Sequence, residues 1–219
     1  MSPFGENYTY RITLLRHGES SGNAQNLYQG HAEYDLTEKG RDQSRAVAAH
    51  WLDKGITFNR IISSPQSRAR QTAEIIAEIM SLPLEFDSNW MEINSGSLVG
   101  LSLEEAGQSD LIPEFMTPYE PIGGTGESNW DLYLRAGQAI RDLVNRPEGS
   151  YLVVSHGGFL TRVLYVILGI VPQANFAGAR FRFRNTSFAV VYYNPGRHIW
   201  LLDRLNDRGH WIEPRESSS

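Results

Sequence analysis

No cysteine occurs in the 219 residues. Disulfides, thiolate nucleophiles and cysteine-ligated zinc are therefore excluded. Lysine is scarce as well: of 20 basic residues only Lys39 and Lys54 are lysine. Positive charge is carried almost wholly by guanidinium groups, which grip planar oxyanions in a bidentate way, although base composition alone also produces such a bias. No apolar run reaches membrane-spanning length. The longest, "FLTRVLYVILGIV", carries Arg162 inside it. The opening "MSPFGENYTY" lacks the basic-then-apolar pattern of a secretory leader. A net charge of −5 speaks against a nucleic-acid partner held by a general basic field. A cytoplasmic protein with neither nucleic acid nor membrane as partner is expected. Finally, not one Lys or Arg lies between Gln71 and Leu134, while acidic residues recur there.

Hydrophobic residues make up 41% and charged residues 21%, the balance of an ordinary globular chain able to bury a sizeable core. No repeat appears, and only the tail "RESSS" (about 215–219) is low in complexity and expected to be disordered. Residues 11–15, "RITLL", read as a strand. Residues 37–54 read as a helix, with Thr37 as cap, Val47/Trp51 and Ala48/Leu52 at i, i+4, and Gly55 as stop. A short strand at 60–62 leads into a helix that Ser64-Pro65 is expected to cap, running to about Met80. A continuous apolar strand at 151–155 turns through "HGG" into the helix "FLTRVLYVIL", closed by Gly169. The stretch "FRFRNTSFAVVYYNPGRHIWLLDRL" reads as two or three further strands. In it Arg180, Arg182 and Arg184 alternate, as on an edge strand kept soluble by charge.

Strands alternating with helices predict an α/β fold: a single domain built as a three-layer α/β/α sandwich around a mostly parallel sheet. Residues 88–128 are rich in turn formers and read as an irregular cap over the C-terminal edge of the strands. Parallel βα units direct every strand C-terminus to one edge, where ligands bind. Three such junctions carry reactive side chains: Arg16-His17, the Ser64 to Arg68 segment, and His156-Gly157-Gly158. An imidazole beside two guanidinium groups should stay neutral and keep a lone pair for nucleophilic attack. Adjacent guanidiniums repel a divalent cation, and no H-x-x-H or E-x-x-H spacing offers ligands for one, so no metal and no cofactor is expected. The chemistry suits a tetrahedral oxyanion, with helix N-termini adding backbone donors.

At these residues the chain resembles the histidine phosphatase superfamily, in its branch of phosphoglycerate-mutase-like phosphatases. The motifs are "LLRHGES", "GNAQNLYQG" with "DLTEKGRDQSRAVA", "SSPQSRARQTAEI" and "VVSHGG", while "NTSFAVV" and "LNDRGHW" are similar to its closing segments. The resemblance spans about residues 11–211. It implies that His17 attacks phosphorus and becomes a phosphohistidine, which water then hydrolyses. It also implies that Arg16, Arg68 and His156 hold the non-bridging oxygens, helped by Asn23, Gly30 and Gly157. Glu92, followed by Gly96 and Gly100 in "EINSGSLVG", would be the general acid, with Glu104 or Glu105 as alternatives. His31, His50, His198 and His210 read as surface or packing histidines. Glu127-Ser128 reads first as a helix start.

The reaction could serve a phosphatase or a mutase. The cap lacks basic residues and carries Glu92, Glu104, Glu105, Asp110, Glu114, Glu120 and Glu127, which should repel a second anion. Trp90, Phe115, Tyr119 and Trp130 would form an apolar wall. The expected partner is thus a small phosphate ester with a neutral or apolar leaving group. A phosphoglycerate mutase, a non-catalytic phospho-ligand binder and a homodimeric state stay open.

Overall fold

The computed structural model describes residues 7–211; the tail expected at 215–219 lies outside them. Six strands form one mixed sheet in the order β3-β2-β4-β1-β5-β6. These are β1 (Tyr10–Arg16), β2 (Arg60–Ser63), β3 (Leu84–Phe86), β4 (Gly149–Ser155), β5 (Phe188–Asn194) and β6 (Ile199–Asp207). β3, β2, β4 and β1 run parallel, whereas β5 is antiparallel to both β1 and β6.

Both faces of the sheet are covered, as its uninterrupted apolar strands require. Leu15, Leu152 and Val154 point to one side and pack on α2 (Glu38–Asp53) and α3 (Ser67–Met80) around Trp51. Ile12, Leu14 and Val153 point to the other and pack on α5 (Asn129–Val144) and α6 (Gly157–Leu168). The period-two alternation of a strand sorts neighbours such as Leu14 and Leu15 onto opposite layers. α2 begins at Thr37, whose hydroxyl accepts from the Gly40 N–H, and Gly169 closes α6 in the left-handed conformation.

The structure corrects two expectations. α3 begins at Ser67, three residues after Ser64, and its cap Gln66 makes no side-chain capping bond. Residues 180–184 belong to no strand. Their arginines are exposed and Phe183 is buried, so the alternation is real while the edge strand is absent. The segment at 88–128 contains more order than turn formers suggest. It holds 3₁₀ turns at Ser88–Trp90, Gly96–Leu98 and Ile122–Gly124, and a short helix, α4 (Leu103–Gln108). α4 starts in a capping box between Ser102 and Glu105. Leu98, Ala106, Met116 and Ile122 form a separate small apolar cluster there. A four-residue turn, α1 (Ser21–Ala24), follows β1 and its loop.

Candidate active site

The register of the sheet assembles the site. Arg16 at the end of β1 lies opposite Ser155 at the end of β4, and Ser63 of β2 opposite Val154. The residues that follow these ends, His17, His156 and Ser64, therefore emerge together at one edge. The imidazole rings of His17 and His156 lie 5.1 Å apart between centroids, within the breadth of a phosphate group.

His17 is buried, and its Nδ1 lies 2.6 Å from the Gly18 carbonyl. A carbonyl only accepts, so Nδ1 carries the proton and Nε2 keeps its lone pair. Among the described residues no donor engages Nε2. Burial, then the Arg68 and Arg16 charges, hold this imidazole well below the ordinary histidine range, against a smaller opposing effect from the Gly18 carbonyl. His156 is fully buried and is likewise lowered, by burial first and then by Arg68, His17 and Arg16. Its Nδ1 accepts from Arg68 Nε at 3.2 Å, so its Nε2–H donates to Ser64 Oγ at 2.9 Å. Ser64 thus serves His156 instead of capping α3.

Arg68 is 1% exposed. Its guanidinium also donates to the carbonyls of Ala32 and Gly30, and burial pushes its pKa down to about 10, which leaves it charged at neutral pH. Gly30 therefore positions Arg68 through its carbonyl. Arg16 donates through Nη1 to the Phe183 carbonyl, but its buried Nε has no partner. A buried donor left open at a cluster of positive charge fits an absent anion. Gly157, the first residue of α6, lies against the Arg16 head group. The Asn23 side-chain oxygen accepts from Ser20 and Asn185, which leaves its amide N–H groups for another acceptor.

Glu92 reaches the N-terminus of α6. Its carboxylate accepts from the N–H groups of Phe159 (2.8 Å), Gly158 (3.2 Å) and Ile93 (3.0 Å). Gly158 lets the carboxylate approach this closely, since a Cβ would stand 2.7 Å from Glu92 Oε1 and the Glu92 side chain would have to shift. Glu104 and Glu105 are exposed on α4, away from this group.

Several contributors were not singled out from the sequence. Buried Gln66 donates to the Gly30 carbonyl and accepts from the Glu92 N–H. Arg135 clamps the carbonyls of Asn89, Met91 and Glu92 and pairs with Glu127. Asn185 donates to the His17 carbonyl. His31 donates to the Glu92 carbonyl. Gln66 lies in the junction between β2 and α3 but is uncharged and carries no reactive group, and Arg135, Asn185 and His31 lie outside the three strand-to-helix junctions.

A cavity of about 350 Å³ is lined by Ile93 and Gly158, two of the residues whose N–H groups the Glu92 carboxylate accepts from, and so lies beside Glu92. Ile93, Leu98, Met116, Ile122 and Phe176 line it together with Gly158 and Arg162. This differs from the expected aromatic wall. Trp90 is buried against Phe159 in the core, whereas Phe115 and Tyr119 are exposed. The acidic residues Glu104, Glu105, Asp110, Glu114 and Glu120 are exposed as well, and none lines the cavity.

A family model described as "Histidine phosphatase superfamily (branch 1)" matches residues 12–208. The chain belongs to this superfamily. A relative in Escherichia coli named "Probable phosphoglycerate mutase GpmB" is 33% identical over 211 residues, covering 93% of this chain and 96% of the relative. Among solved structures, Bacillus stearothermophilus YhfR superposes with a TM-score of 0.79 at 26% identity, covering 92% of this chain and 98% of that one. A mycobacterial glucosyl-3-phosphoglycerate phosphatase bound to VO3 gives 0.72 at 26% identity, over 90% and 98%. Phosphoserine phosphatase from Entamoeba histolytica, bound to 3-phosphoglyceric acid, gives 0.77 at 25% identity, over 93% and 100%. This histidine phosphatase is thus an enzyme of a family whose general mechanism runs through a phosphohistidine. Among the described residues no helix is long and apolar enough to cross a membrane.

Proposed function

We propose that this histidine phosphatase hydrolyses small phosphomonoesters at His17. The reading is carried by one observation: the His17 Nε2 lone pair, fixed by the Nδ1 bond to Gly18, stands beside Arg16, Arg68 and His156. In the first step Nε2 bonds to phosphorus and the P–O bond to the alcohol breaks. The Glu92 carboxyl gives its proton to the departing oxygen. In the second step water passes a proton to the Glu92 carboxylate and attacks phosphorus. The P–N bond breaks, phosphate leaves, and Nε2 regains its lone pair. Arg16 Nε, the Arg68 head group, the His156 Nε2–H turned from Ser64, and the Asn23 amide take the non-bridging oxygens. The Gly157 N–H, at the start of α6, adds a backbone donor. Such fixed donors stabilise charge that grows in the transition state. The aliphatic cavity beside Glu92 receives the body of the alcohol.

Brief exposure to a labelled phosphoryl donor in the presence of EDTA tests the mechanism. We expect an acid-labile, base-stable phosphoryl adduct on His17, lost in His17→Ala along with turnover. Turnover that survives His17→Ala overturns it. The relative named as a mutase favours a second reading, phosphoryl return to a phosphoglycerate. Interconversion of 2- and 3-phosphoglycerate outpacing phosphate release would favour that reading.

A further inference from the structure

Arg162 is the one charged residue lining the cavity beside Glu92. It is 8% exposed. Its Nε donates to Asn129 Oδ1 at 2.6 Å, and its guanidinium lies 4.9 Å from the Tyr165 ring and 5.7 Å from the Phe176 ring. These contacts fix the plane of the fork. Its two Nη groups donate to no described residue, and no carboxylate among the described residues forms a salt bridge with it. Neither Nη is sealed from solvent, so the free edge of the fork opens into the cavity that Arg162 lines, where a planar anion can replace water on it.

The helix places this fork relative to the chemistry. Gly158, whose N–H binds Glu92, and Arg162 are four residues apart on α6 and share a face. Helical side chains lean toward the N-terminus, so the Arg162 head group inclines toward Glu92. The gap between proton donor and fork is therefore on the order of one helical turn, about 5 Å. A single planar cation matches a single planar anion with two parallel hydrogen bonds. A second phosphate, doubly charged, would need further cations that the lining does not provide.

We propose that Arg162 is a specificity-determining residue that binds a carboxylate on the alcohol half of the substrate. The substrate class is then a phosphomonoester with a short apolar spacer between its phosphate and a carboxylate. This rests on the reading that phosphate reacts at His17, and it replaces the expectation of a neutral leaving group. That expectation drew on the sign of the cap, but Glu104, Glu105, Asp110, Glu114 and Glu120 face solvent and Glu127 is paired with Arg135, whereas the cavity takes its charge from α6.

The test uses binding, so that it does not depend on turnover. Affinities are measured by calorimetry for phosphonoalkanoates with roughly three to six methylenes, a range set by the helical-turn gap, and for their neutral primary amides. The wild-type protein should prefer the carboxylate by roughly 10–100-fold at its best spacer length, the range of a charged hydrogen-bonded pair. In Arg162→Met, close in volume, the preference should vanish while the amide binds as before. Arg162→Lys should recover part of it. Equal wild-type affinity for acid and amide at every length overturns the proposal, and needs no variant that folds. So does an Arg162→Met protein that loses both ligands equally. Failure of the His17 reading shows separately, as turnover of an aryl phosphate retained in His17→Ala.

Discussion

His17 owes its chemistry to neighbours far away in the chain. Arg68 and Arg16 oppose a third cation, burial removes solvent, and the Gly18 carbonyl orients the ring. The sequence exposed the pairing of histidines with arginines because each sits at a strand end before a helix. It did not expose which nitrogen is free, since that depends on a 2.6 Å contact with the next carbonyl. Glu92 tests the division of labour at this scale. Glu92→Gln keeps an acceptor for the α6 N–H groups but has no proton to give. We expect kcat on alkyl phosphates to fall by about 10²–10⁴-fold, and on p-nitrophenyl phosphate by far less, because that anion leaves unaided. Rates measured across alcohols of graded acidity decide it. A uniform loss would make Glu92 only the cap of α6.

Elements hold the catalytic loop by close approach. A Cβ on Gly40, in the first turn of α2, would lie 2.0 Å from the Glu19 carbonyl oxygen. The helix therefore seats directly on the turn that follows His17, which supplies a physical reason for glycine in "LTEKG". Gly40→Ala should cost about 1–3 kcal/mol through overpacking, a fall in Tm on the order of 2–12 °C for a chain of this size. It should also lower kcat by shifting His17. An unchanged melting curve would show that the contact yields freely. α2, β4 and α6 were legible because apolar period and glycine stops coincide there. The start of α3 was misread, because Ser64-Pro65 has the look of a cap while its hydroxyl binds His156. α4 was missed, although its capping box, Ser102 and Glu105, is written in the sequence.

For the molecule as a whole, three imidazoles, two buried and one half-buried, link stability to pH. His17 and His156 are held well below 6.5, and His210 is lowered to about 4 by burial and then by His50. Between those folded values and about 6.5, the unfolded chain binds protons that the folded chain refuses. Stability is therefore full above about 6.5 and is lost as pH falls, by up to about 1.4 kcal/mol per pH unit for each such histidine. Denaturant titrations from pH 7 to 5 should show this slope, and His210→Asn, outside the catalytic group, should make it shallower. A slope unaffected by that change would assign the effect to other groups. The sequence by itself determined the strand–helix alternation, the edge at which reactive residues gather and the family, since these depend on periodicity and on short local motifs. Only the tertiary structure decided the tautomers, the open donor on Arg16, and the sign of the charge that lines the cavity beside Glu92. Those follow from distances between segments such as Glu92 and α6, or Arg162 and Phe176, which approach one another through packing and carry no local signature in the chain.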